Sequence, residues 1–452
     1  MKKLWQKNWQ LNKLIETFET KDDLVVDQKL LKFDVYGSIA HSRMLNKIGI
    51  LSTNEFSLIT EGLLEILKLG NKGKFTLQNG DEDIHTKIEN FLISNYGEAG
   101  KKIHTGRSRN DQVLTALRLF TKHKLFFIWK DLLKLIESFE VFAKEYEFVP
   151  MPGYTHMQKA MPSSVGMWAG AFIEALLEDL VILKSVYSLV NKSPLGSAAG
   201  YGVPINIDRE YTAKLLGFDA NLINSLYAQN SRGKTEALVI AALNAILLDV
   251  NKFASDLLLF TTSEFSFFTV SEKLCSGSSI MPQKKNVDIA ELLRSKIGLS
   301  LGYYTQLINI YTNLPSGYNR DLQDSKKPFI EALEITQDSL KVTNILVNNI
   351  SPNKEKLKAS LTADIFATHH ALELVSQGVP FREAYKQVGV NISKIKVKDK
   401  KEYLKQSTHI GSTGNLGLET YELQLKTEKQ IYQSEYKKFN LALKKLIANK
   451  KE

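Results

Sequence analysis

Residues 232–264 contain the run TEALVIAALNAILLDVNKFASDLLLF, which is apolar on most faces of the helix its spacing predicts. Such a helix has to be covered nearly all round, either by a bundle of its own chain or by other subunits. Four more stretches carry apolar residues three and four apart, at 109–147, 163–191, 286–312 and 327–349. No convincing strand-like alternation interrupts them. At about 1.5 Å per residue, helices of about 25 residues build an elongated bundle of roughly 40 Å or more. The reading is therefore an all-α chain of three helical domains. Residues 1–106 form the first, 107–355 a central bundle of five long helices, and 356–452 a small, lysine-rich last domain.

The remaining composition narrows the function. The net charge of +10 is almost all lysine, because only nine of the 59 basic residues are arginine. Scattered lysine reads as a solvated surface, and no zinc-finger spacing or RNA-binding aromatic motif accompanies it, so no nucleic-acid partner is expected. The start, MKKLWQKNW, has no apolar signal region. The stretch Ala237 to Val250, broken by Asn244 and Asp249, is short of the ~20 apolar residues of a membrane span. A lone cysteine, Cys275, fits a reducing cytoplasm. His369 and His370 are neighbours that point apart on a helix, and no HExxH, Walker loop or dinucleotide fingerprint occurs. Neither metal nor cofactor is expected.

Chemistry concentrates in the segments between the long helices. GSSIMPQKKN at 277–286 joins Ser278, Ser279, Lys284 and Asn286, the last placed to cap the next helix. Two readings fit: a serine-rich connection with a capping Asn, or a site where hydroxyl, ammonium and helix terminus bind carboxylate or an oxyanion. PGYTH at 152–156 offers His156 either for proton transfer or for a structural hydrogen bond. TGRSRNDQ at 105–112 reads as a charged helix start or as an anion-binding turn built on Ser108, Arg109 and Asn110.

Taken together, these blocks resemble the fumarase/aspartase superfamily, whose shared signature is the Gly-Ser-Ser-x-Met-Pro-x-Lys-x-Asn loop seen here at 277–286. TGRSRNDQ, PGYTHMQ, the Asp34–Ser38 block and the Gly80–His85 block are similar to argininosuccinate lyases in particular, from about residue 3 to 390. The resemblance implies an enzyme of arginine biosynthesis that splits argininosuccinate reversibly into arginine and fumarate. It implies Ser278 as the base for the Cβ proton and Lys284 as the stabiliser of its alkoxide and of an enolate-like intermediate. His156 would serve the departing guanidinium nitrogen, with Glu291 as its carboxylate partner. Asn110, Thr155, Asn286, Tyr318, Gln323 and Lys326, beside Ser108 and Arg109, would bind substrate. It further implies a homotetramer whose helices share one core and whose active sites each draw on three chains.

Four departures from the family pattern stand out: Gln6-Lys7-Asn8, Asp23 in place of a common serine, Gly233 after Arg232, and Val287 after Asn286. Asp23 is expected to alter substrate contacts. Other classes remain open at this point: a different fumarate-releasing lyase, or a non-catalytic protein of crystallin type.

Overall fold

Several helices begin where side chains satisfy their first amides. In the computed structural model, which describes residues 12–78, 80–397 and 399–448, Ser52 and Ser108 each open a helix with a capping box completed by Glu55 and Asp111. Gln6-Lys7-Asn8 lie outside the described residues. The chain runs α1 (Lys13–Val26), α2 (Leu31–Lys47), α3 (Thr53–Asn71), α4 (Ile84–Lys101) and α5 (Arg109–Glu145). A hairpin of β1 (Pro150–Thr155) and β2 (Gln158–Ser164) precedes α6 (Val165–Val190). Next come β3 (Lys192–Ser193), α7 (Arg209–Leu215), β4 (Ala220–Asn221), α8 (Ser225–Asn230) and α9 (Lys234–Phe260). They are followed by β5 (Phe268–Val270), β6 (Ser276–Gly277), β7 (Lys285–Asn286), α10 (Asp288–Tyr311), α11 (Lys326–Val347) and β8 (Ile350–Pro352). The chain closes with α12 (Lys354–Ser360), α13 (Ala367–Ser376), α14 (Phe381–Val390), α15 (Lys400–Gln406) and α16 (Leu418–Ile447).

The class is all-α, and the five long helices stand where their periodicity placed them. α9 packs on α10, α6 and α11, while α5 packs on α6, α11 and α2. α9 is long and apolar enough to cross a membrane by length and composition, which the stretch Ala237 to Val250 alone did not suggest. Its surroundings are those of a core helix, with 61% of its apolar window buried. What the chain leaves uncovered is a stripe holding Leu238 and Leu248, exposed by 40% and 54%.

Two local expectations are corrected. The segment 150–164, where no strand was expected, is an antiparallel hairpin with His156 and Met157 as its two turn residues. Both have positive φ, 52° and 61°. Such turns usually carry Asn or Gly, so nothing in the sequence announced this one. Asn286 does not cap α10. It pairs in β7 with Ser276, and the helix starts after Val287, without a side-chain cap.

A buried cation ties the far end of the bundle to the C-terminal helix. Lys122 Nζ donates to Asn191 Oδ1 and to the Gly217 carbonyl, each at 2.5 Å, between the rings of Phe218 and Phe439. Burial pulls its ammonium down to about 7.

Candidate active site

A cavity of about 200 Å³ lies where α1, the segment 82–85, the start of α5, Arg232 and the segment 318–326 converge. It gathers five of the expected binding residues, Arg109, Asn110, Tyr318, Gln323 and Lys326, from positions more than 200 residues apart. Ser108 does not line it. The hydroxyl of Ser108 accepts the amide of Asn110, and its own amide donates to Asp111 Oδ1 at 2.9 Å, so this serine starts the helix and positions its neighbours. Asp111 Oδ2 also accepts the amides of Gly196 and Ala198, both at 2.9 Å, which fastens the glycine-rich segment beside α5.

Charge fills the cavity in pairs. Lys326 is 3% exposed, and its Nζ lies 2.7 Å from Asp23 and 2.5 Å from Asp27. Burial alone would lower the Lys326 ammonium, but Asp27 and Asp23 more than offset it and the net shift is upward. Burial pushes the Asp23 carboxyl up to about 6 against the pull of Lys326. Arg109 Nη1 meets Glu82 at 2.8 Å and Asp83 at 3.5 Å. Arg320 meets Glu19 at 3.2 Å, and Gln323 Nε2 donates to the Glu19 carbonyl at 2.6 Å. On the wall itself, His85 is paired with the buried Asp34, which also accepts from Gln112. Burial disfavours both ions, yet their mutual attraction leaves His85 raised and Asp34 lowered. The two blocks quoted around Asp34 and His85 are thus one buried contact.

Asp23 was expected to alter the contacts to substrate. It lines the cavity, but its carboxylate is already engaged by Lys326. Asp27 and Glu19 were missed, because acids on a short N-terminal helix read as a solvated face and only packing makes them a wall.

The remaining candidates are displayed elsewhere on the chain. Thr155 and His156 are exposed at the hairpin tip, and Glu291 is exposed in the first turn of α10. The segment 278–284 forms a loop closed at its base by pairing of β6 with β7. Within it the half-buried Ser278 hydroxyl accepts the amides of Met281 at 3.1 Å and Ile280 at 3.4 Å. Lys284 is exposed and Asn286 half-buried. No hydrogen bond joins His156 to Glu291, or Ser278 to Lys284, among the described residues. The residues that line the cavity include none from this loop or from the hairpin. Among the described residues no cluster of three His, Cys, Asp or Glu has the spacing of a metal site.

Comparison with known proteins gives a consistent picture. Residues 9–301 match a family model described as lyase. The argininosuccinate lyase of Thermotoga neapolitana is 45% identical over 386 residues, 85% of this chain and 97% of its own. That of Parabacteroides distasonis is 39% identical over 449 residues, 98% of this chain and 99% of its own. Among solved structures, an EDDS lyase in complex with formate superposes with a TM-score of 0.82 at 21% identity, covering 97% of this chain and 95% of its own. At that identity it speaks for the fold alone.

Proposed function

We propose a function from one premise: the chain belongs to the argininosuccinate lyase family. It eliminates across the Cα–Cβ bond of the succinyl group of argininosuccinate, breaking the C–N bond reversibly, and releases arginine and fumarate. The observation that carries the mechanism is the Ser278 hydroxyl lying under two backbone amides. A neutral serine is too weak a base for a carbon acid. Donors aimed at its oxygen stabilise the alkoxide, and Lys284, which makes no ion pair among the described residues, adds to that field.

Ser278 takes the Cβ proton, and the electron pair moves into the adjacent carboxylate as an enolate-like intermediate. Collapse of that pair expels the guanidinium nitrogen, which receives a proton from His156, with Glu291 holding the imidazole. Asn110, Tyr318 and Gln323 orient the arginine half in the cavity, while Thr155 and Asn286 hold the succinyl half.

Neither loop nor hairpin lines the cavity of its own chain, so the complete site assembles between copies. The exposed apolar residues on three bundle helices support this: Val181 and Ile182 on α6, Leu238 and Leu248 on α9, Leu292 and Leu299 on α10. Buried between subunits, they would form the shared core of a homotetramer. We place the enzyme in the cytoplasm, where its lone thiol stays reduced.

The test is fumarate release, followed by ultraviolet absorbance, from argininosuccinate with adenylosuccinate, aspartate and malate alongside. Release from argininosuccinate alone is expected. Release only from another substrate would refute the assignment.

A further inference from the structure

Four lysine and arginine side chains line the cavity, and three have carboxylate partners within the chain: Arg109, Arg320 and Lys326. Arg232 does not. The residue is 2% exposed, its Nε is buried with no hydrogen-bond partner, and its guanidinium makes no ion pair among the described residues. Its side-chain contact is the ring of Tyr318, 5.3 Å from Cζ. Its field reaches both Asp23 and Lys326, so it stands beside that pair without joining it. A buried guanidinium with an open fork is costly to hold unless an anion completes it, and a carboxylate fits that fork with two parallel hydrogen bonds.

Local structure keeps the side chain there. Gly233, at φ 82°, turns the backbone from Arg232 into α9, and its amide is held by Glu236 at 2.6 Å. Asp23 then decides which cation is left for a ligand. By adding a second carboxylate to Lys326, it leaves Arg232 as the open positive group on this wall. An α-amino acid presents its carboxylate and ammonium side by side, which suits a guanidinium standing next to a carboxylate.

We infer that Arg232 receives the α-carboxylate of the arginine half of the substrate, and that Asp23 shifts this task from Lys326 to Arg232. The inference rests on the lyase reading, but its test does not need turnover. Calorimetry would compare the binding of arginine with that of agmatine, which has the same guanidinium and chain but no α-carboxylate. The wild-type protein should prefer arginine. Arg232→Ala should weaken arginine on the order of 100-fold and agmatine about threefold at most, with Arg232→Lys in between. Asp23→Ser, which leaves Lys326 with Asp27 as its one carboxylate partner among the described residues, should restore part of the preference in the Arg232→Ala background. Equal losses for both ligands, or no preference in the wild type, would overturn the inference. Circular dichroism on each variant separates lost recognition from lost folding. If arginine outbinds agmatine but argininosuccinate releases no fumarate, the recognition stands and the lyase assignment falls.

Discussion

Replacing Lys326 by methionine would strand two largely buried carboxylates on the cavity wall. The Lys326 side chain is 4% exposed, and those of Asp23 and Asp27 are 12% and 1%. At an effective dielectric of about 20, each contact is worth roughly 6 kcal/mol of attraction, most of it offset by desolvation of the three ions. Removing the cation keeps the desolvation of the two carboxylates and leaves their existing repulsion uncompensated, for a net loss of about 3–5 kcal/mol. A 452-residue chain melting as one unit has an unfolding entropy near ~1 kcal/mol per degree, so the midpoint should fall by about 3–5 °C at pH 8. The loss depends on pH in a definite direction. Asp23 stands at about 6 even with Lys326 present, above its ordinary 3.8, and rises further without it. A carboxyl raised in the folded state holds its proton there and not in the unfolded chain. The penalty is therefore full above the folded value and shrinks as the pH falls towards 5. Differential scanning of the variant and the parent at pH 8 and pH 5 reads both effects. A fall of less than 1 °C at pH 8, or the same fall at both pH values, would refute the buried-triad reasoning.

Ser278→Ala should leave folding and assembly unchanged and cut kcat for fumarate release by about 1,000-fold or more; near-normal turnover would remove Ser278 as the base. Lys122, whose ammonium is lower in the folded than in the unfolded chain, makes the wild type gain stability as pH rises from about 7 towards 10. In Lys122→Met that slope should flatten, and melting curves at pH 7 and 9.5 check it. Gly233→Ala forces a side chain into a left-handed position where its Cβ meets Leu322 at 3.0 Å and Tyr311 at 3.1 Å. It should cost about 1–2 kcal/mol in urea unfolding and weaken arginine binding through Arg232, and an unchanged affinity would separate the turn from the site.

The five long helices were legible because each carries a sustained 3.6-residue pattern and ends in segments rich in turn formers. The two-residue ladders left no trace, since pairing such as Gly277 with Lys285 is a tertiary event between residues with no strand composition. That pairing also displaced the start of α10 past Asn286, whose side chain alone looked like a cap. In the site, Asn110, Tyr318, Gln323 and Lys326 came from family resemblance and meet in one cavity. Arg232 was visible only as an arginine at a helix start, because an empty guanidinium is a property of its surroundings. Asp27 is a similar case, an ordinary acid until Lys326 is folded against it.

The base pairing of β6 with β7 has a mechanical consequence. Seven residues, 278–284, leave and return through one narrow footing, so the crest of the arch can travel roughly 12 Å from it, half its contour. Ser278 and Lys284 are the two feet. Each is one residue from a fastened position, whereas the crest around Ile280, 82% exposed, is tied to the foot at Ser278 by the amides of Ile280 and Met281. Lengthening or shortening the crest would change how the arch shelters a bound molecule while the hydroxyl and the ammonium stay where they are.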